Sequence, residues 1–113
     1  NFSASTGIVS ARPDLYDGGH KHIAYSISKA GVINLTKFLA VHLAPSVRVN
    51  CLAPGGVENS QSEDFIKNYS KHTPLDRMMK PTELNGIADF LCSSYSSYVT
   101  GATYVVDGGW TSW

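Results

Sequence analysis

The feature that most constrains this sequence is an unbroken run from Ile23 to Leu43 that reads as one long helix. It contains no proline and a single glycine, Gly31, and Leu, Ala, Ile and Lys dominate it, so both propensity and spacing favour a helix. Its apolar residues form more than one stripe. Ile23, Ile27 and Ala30 lie along one side, Val32, Leu35, Leu39 and Leu43 along another, and Ile33 and Phe38 fill in further round. A surface helix needs only one apolar face. In a chain of 113 residues, one small domain with one core, two faces imply packing on a sheet and also on a partner. A helix central to a single chain is the plainer alternative.

The elements around this helix suggest where the sheet lies. Asn1 to Ser5 reads as the end of a strand, and Gly7 to His22, with Pro13, Gly18 and Gly19, as a loop. Pro45 and Ser46 close the helix. Val47 to Leu52 largely alternates apolar and polar residues, as a strand does, until Ala53-Pro54-Gly55-Gly56 breaks it. Ser62 to Lys71 reads as a polar helix, with Glu63 and Asp64 at its start and Lys71 and His72 at its end, as the helix dipole favours. Pro81 opens another helix to about Ser94, proline being tolerated in a first turn. Ala102 to Val106 is a last strand, closed by Asp107-Gly108-Gly109. Strands separated by helical crossovers imply an α/β fold, with a parallel sheet covered by helices.

Composition narrows the function. Charged residues make up 16% and the formal net charge is zero. The nine Lys and Arg are scattered rather than striped, which argues against a nucleic-acid partner. No apolar run reaches membrane-spanning length, so no membrane partner is expected either. Cys51 and Cys92 stand alone, without the spacing of a metal site, so no metal is expected. Two isolated cysteines read as buried thiols in a reducing compartment, which points to the cytoplasm. The first residue is Asn1 and the chain already looks like a strand there, so the expectation is a piece lacking its N-terminal half.

The chemistry resides in Tyr25 and Lys29. Four apart on a helix, they share one face. Tyr-x-x-x-Lys is common by chance, and a solvated polar pair is the ordinary reading. Here it sits in the first turns of the helix, after a polar loop, where side chains can face a cleft at strand ends. A free phenol titrates near 10, too high for easy proton exchange near neutrality, and a neighbouring ammonium lowers that value. A tyrosine so tuned works as general acid in carbonyl reduction and general base in alcohol oxidation. Pro54-Gly55-Gly56 would let backbone approach a flat ligand closely, although a strand-ending turn explains it as well.

Together these segments resemble the short-chain dehydrogenase/reductase family. The resemblance covers essentially the whole chain: Asn1-Phe2-Ser3, Tyr25-Ser26-Ile27-Ser28-Lys29-Ala30, Arg48-Val49-Asn50, Pro54-Gly55, and Tyr98 to Gly109. It implies a doubly wound, Rossmann-like parallel sheet, present here as its C-terminal half. It also implies an oxidoreductase that moves hydride between NAD or NADP and an alcohol or ketone. Tyr25 matches the catalytic tyrosine and Lys29 the lysine that also holds the nicotinamide ribose. Pro54, Gly55 and Val57 match the loop beside the nicotinamide. The resemblance further implies a small-molecule substrate and a homodimer or homotetramer through the 23–43 helix.

Three departures stand out. The family's Asn-x-Ser-Ser-x-x-Gly reads Asn1-Phe2-Ser3-Ala4-Ser5-Thr6-Gly7 here, with Ala4 where the substrate-orienting serine belongs. Strand alternation would point Ser3 and Ser5 away from the Ala4 face and leave Thr6 on it. A bulge would instead bring Ser5 round, so the hydroxyl comes from Thr6, from Ser5 or from neither. Asn59 stands near the place of a family threonine that approaches the cofactor phosphates. The Gly-rich pyrophosphate turn has no counterpart in the chain, so the piece alone is expected to be inactive and to expose a sheet edge. The long Gly7–His22 loop, the Gly56 to Gln61 stretch and the Gly-Gly-Trp-Thr ending resemble a subgroup acting on nucleotide-activated sugars, with Glu58 to Pro81 as a substrate lid. His20, His22, His72 and Asp76 read as surface groups. The alternative function is a non-catalytic relative, a pseudoenzyme or assembly subunit, which Ala4 motivates.

Overall fold

Two short parallel strands form the centre of the molecule, β1 at Cys51–Pro54 and β2 at Thr103–Val106, with Cys51 opposite Thr103 and Pro54 opposite Val106. The computed structural model describes residues 1–16 and 19–113. The first residues add to the free side of β1. Phe2 bridges Leu52 in parallel, through Ser3 N–H to Leu52 O at 2.7 Å and Leu52 N–H to Asn1 O at 3.0 Å. Chain direction is the same at all three positions, so the connections between them must cross over, and helices make those crossings. Cys51, Leu52 and Ala53 are buried, as expected for a strand with a neighbour on each side.

The strand over 47–52 is displaced. It begins at Cys51 and continues through Ala53 and Pro54, which were expected to break it. Arg48 and Asn50 explain the shift, because their side chains serve a different task. Arg48 donates to Val99 O at 3.1 Å and to Leu91 O at 3.0 Å. Asn50 donates to Val99 O and accepts from Ala102 N–H. The approach to β1 thus fastens the segment that leads into β2, and alternation there does not report a ladder.

Helix α1 runs Ile23–His42, with Leu43 as its C-cap, and α2 runs Glu63–Lys71 with Ser62 capping Phe65 N–H. Pro81 opens a 3-10 turn, Pro81–Leu84, which passes into α3, Asn85–Cys92. The loop between residues 7 and 22 holds a second 3-10 turn, Pro13–Leu15; Gly18, read as one of its breakers, lies outside the described residues. Leu15, Tyr69, Met78 and Trp110 form a small core, with Tyr69 and Trp110 stacked at 4.3 Å between centroids. Asp107 shapes the turn after β2, accepting from Gly109 N–H, Thr111 N–H and Thr111 Oγ1, and so sets Trp110 over that core.

The face that α1 buries within this chain differs from either stripe of large apolar residues. Thr36 and Ala40 are its buried residues, while Ile23, Ile27, Leu35 and Phe38 are exposed. Small side chains let backbone come close. A Cβ on Gly7 would lie 2.7 Å from Lys29 C and 2.9 Å from Ala30 N, so the 5–7 segment crosses α1 at van der Waals contact. Thr36 Oγ1 donates to Val32 O and accepts from Asn1 Nδ2, which satisfies a polar group no apolar pattern could reveal. The cysteines also divide: Cys51 is buried as expected, whereas Cys92 is exposed.

Candidate active site

Tyr25 stands in the first turn of α1 and lines a cavity together with Pro54 and the residues that follow β1. His22 caps the helix, its Nδ1 accepting from Ala24 N–H at 3.2 Å. This fixes the helix entry and leaves His22 a structural role. Lys29 lies on the same side as Tyr25, its ammonium 5.6 Å from the ring centroid, and donates to Phe2 O at 3.4 Å. A second ammonium, that of Lys21, sits 4.1 Å from the same centroid. Lys21, Tyr25 and Lys29 are spaced by four, a repeat that the Tyr-x-x-x-Lys reading stopped one step short of.

Alternation does not continue past Ala4. Residues Ser5–Gly7 form a 3-10 turn, so the expected order of faces, Ser3 and Ser5 against Ala4 and Thr6, does not hold. Ser3 turns to α1 and donates to Lys29 O at 2.6 Å. Ser5 and Thr6 both reach the wall of one cavity that also contains Tyr25. Thr6 Oγ1 is sealed from solvent without a hydrogen-bond partner among the described residues.

That cavity has a volume of about 300 Å³. Pro54, Gly55, Gly56 and Val57 form its edge beyond β1; Tyr16, Phe65, Tyr69 and Trp110 supply an aromatic wall. Arg12, Lys21 and Gln61 complete the polar part, and sequence reasoning had missed all three. The structure therefore gathers Tyr25, Ser5, Thr6, Pro54, Gly55 and Val57 around one space, with Lys29 behind Tyr25 rather than on the surface of the cavity. Asn59, His72 and Asp76 are elsewhere. Asn59 N–H donates to Gln61 Oε1, and His72 Nε2 lies 3.1 Å from Asp14 Oδ2. His20 faces a wider, more open hollow of about 580 Å³ on the outer side of the 7–22 loop, which does not include Tyr25.

The glycines after Pro54 serve internal packing. A Cβ on Gly56 would meet the Tyr69 ring at 2.7 Å, and one on Gly55 would meet Asp107 Cα at 2.9 Å. At this turn the chain thus approaches itself closely. Gly56 N–H donates to Tyr69 Oη at 2.6 Å, anchoring α2 to the cavity edge. Burial raises the pKa of the Tyr69 phenol, and Tyr16 is raised for the same reason. Both stay protonated and neutral in the wall. On the rim, the Arg12 side chain beside Asp14 lowers that carboxyl.

A parallel α/β sheet with a cleft at its strand ends, opened by a helix carrying Tyr and Lys, defines a Rossmann-like class of protein. Comparisons with known proteins narrow this. A family model described as enoyl-(acyl carrier protein) reductase matches residues 14–111. The chain is 44% identical over 95 residues to dehydrogenase/reductase SDR family member 4 of Sus scrofa, covering 78% of this chain and 34% of that relative. It is 40% identical over 99 residues to the 3-oxoacyl-[acyl-carrier-protein] reductase FabG of Aquifex aeolicus, covering 83% and 40%. Among solved structures, a short-chain dehydrogenase from Leptospira borgpetersenii with bound NAD+ superposes with a TM-score of 0.91 at 46% identity, over 98% of this chain and 43% of that one. A 4-hydroxyisoleucine dehydrogenase complexed with NADH gives 0.84 at 25% identity, over 100% and 46%. The chain belongs to the short-chain dehydrogenase/reductase family and matches the C-terminal portion of its Rossmann fold; it spans less than half the length of these relatives.

Proposed function

We propose that this chain carries the proton-handling and substrate side of an NAD(P)(H)-dependent oxidoreductase acting on an alcohol or ketone. The observation that supports it most is Tyr25 in the wall of a cavity at the strand ends, with the Lys29 ammonium on the same side of α1 at 5.6 Å from its ring. In alcohol oxidation the Tyr25 oxygen takes the hydroxyl proton; in carbonyl reduction it returns one to the forming alkoxide. The nicotinamide, when bound, supplies or accepts the hydride. Lys29 spends one donor on Phe2 O, leaving two N–H groups for ribose hydroxyls, and Pro54, Gly55 and Val57 would flank the ring. NAD(H) is favoured because two similar structures hold it.

Ser5 is assigned the substrate-orienting role that Ala4 has lost, since it lines the cavity, whereas Thr6 Oγ1 is sealed from solvent. The working protein is proposed to include an N-terminal cofactor-binding half, to assemble as a homodimer or homotetramer through α1 and to reside in the cytoplasm. The nucleotide-activated-sugar subgroup finds no support among the relatives described above, and the proposal keeps to the broader substrate class. The second reading, a non-catalytic subunit, is favoured by Ala4 alone. Replacing Tyr25 by Phe in the full-length protein separates the two. Loss of turnover by about 10²–10⁴-fold with unchanged thermal stability is expected; turnover equal to wild type, or a wild type with no dehydrogenase activity, would defeat the enzymatic reading.

A further inference from the structure

We infer that the cavity beside Tyr25 takes an anionic substrate, a hydroxy or keto carboxylate, and that Lys21 holds its carboxylate. This rests on the reading of Tyr25 as the proton-handling group. Among the described residues the charged side chains lining the cavity are Arg12 and Lys21, both cationic, and no carboxylate lines it. The two differ in what they already hold. Arg12 makes a two-point contact with Asp14, at 3.2 and 3.3 Å, which occupies its guanidinium fork. The Lys21 ammonium rests over the Tyr25 ring at 4.1 Å, with no carboxylate within 4.0 Å among the described residues.

An ammonium on an aromatic face is held more weakly than one facing a carboxylate in a partly desolvated site. A substrate anion entering the cavity would therefore draw Lys21 off the ring, and its reacting carbon would then lie beside the Tyr25 hydroxyl. Phe65, Tyr69 and Trp110 offer the opposite side an apolar wall. The space, about 300 Å³, is at the small end of ligand pockets. The two lysines would divide the work: Lys29, bonded to Phe2 O, lies behind Tyr25, and Lys21 lies in front of it.

A different role for Lys21, acting on the Tyr25 hydroxyl itself, makes an opposite prediction, so one variant decides. The full-length enzyme with its nicotinamide cofactor is assayed on matched pairs, 3-hydroxybutyrate with its methyl ester and mandelate with its methyl ester. Lys21→Met is expected to lower kcat/KM for the acids by about tenfold or more and to leave the esters near their wild-type values. An equal loss on acids and esters, or no loss on either, overturns the assignment. If the wild type turns over none of the four, binding replaces turnover as the readout. Calorimetry with 4-phenylbutyrate and 4-phenylbutyramide then tests the anion site separately. Tighter binding of the acid, abolished by Lys21→Met, sustains it, and equal binding of acid and amide sinks it.

Discussion

Ala4 places a methyl group where the family pattern carries a hydroxyl, and the 3-10 turn at Ser5–Gly7 decides which neighbour can replace it. In an extended strand Thr6 would have shared the Ala4 face. In the turn, Thr6 Oγ1 is instead sealed and has no partner among the described residues, while Ser5 borders the cavity. The two hydroxyls therefore respond oppositely to removal. Ser5→Ala is expected to lower kcat by about 10²–10³-fold, the usual loss for one donor to a developing oxyanion. Thr6→Val exchanges a buried hydroxyl without a partner for a methyl group and should stabilise the fold by about 1 kcal/mol with turnover retained. Steady-state kinetics and urea midpoints on the full-length pair check both signs. A Thr6→Val protein without activity and a fully active Ser5→Ala protein would reverse the assignment.

Contacts between elements hold this constellation in place, and Gly7 makes one of the tight ones. With a Cβ, residue 7 would press on Lys29 C at 2.7 Å and on Ser3 Oγ at 2.8 Å, and Ser3 is itself bonded to Lys29 O. Backbone cannot yield there without moving Lys29. Gly7→Ala should destabilise by about 1–3 kcal/mol and depress turnover beyond what the stability loss explains; thermal melts beside kinetics at low temperature measure the two parts. The entry to α3 carries a different device. Arg77 grips Glu83 by two contacts of 2.6 Å, and Lys80 N–H adds a third at 2.7 Å. The Arg77 hydrogen bond first, and then the Lys80 amide, hold Glu83 at about 2 against an ordinary 4.5. A depressed carboxyl stabilises the fold above its unfolded value, and that contribution fades as pH falls from about 4.5 toward 2. Both partners are exposed, so the effect is screened by salt. Glu83→Gln should flatten the stability–pH curve across that acid window by lowering stability modestly at neutral pH and leaving it nearly unchanged near pH 2, which denaturant midpoints at several pH values would test. Elements of this kind were partly legible in sequence. Spacing revealed α1 and the Tyr25–Lys29 pair because period and propensity agree over 20 residues. Arg48 and Asn50 misled it because their side chains bind distant carbonyls, and Lys21, Arg12 and Trp110 were missed because they reach the cavity from loops, where no period exists.

For the molecule as a whole, shape argues that α1 is incompletely covered. A chain of this length that packed uniformly would have a radius of gyration of about 13 Å; here it is 15.3 Å, with a long axis of 47 Å. The 20 residues of α1 span about 30 Å, whereas each strand beneath them has four residues. The surplus is apolar. Ile23 is 71% exposed, Ile27 64% and Val41 74%, with Phe38 at 56% and stacked on His42. Water contact with so much aliphatic surface on one helix favours its burial against another protein surface, and a symmetric pair of copies would meet that need with a single self-complementary patch. Phe38 and Val41 lie three apart on one side of the helix, and they are far from Tyr25 in sequence. Carboxylates at both positions would be desolvated in an apolar interface without partners. The full-length protein carrying Phe38→Glu and Val41→Glu should therefore show about half the wild-type mass by light scattering, with its far-ultraviolet dichroism preserved. An unchanged mass with intact dichroism would show that some other surface joins the subunits, and that this side of α1 is covered from within its own chain.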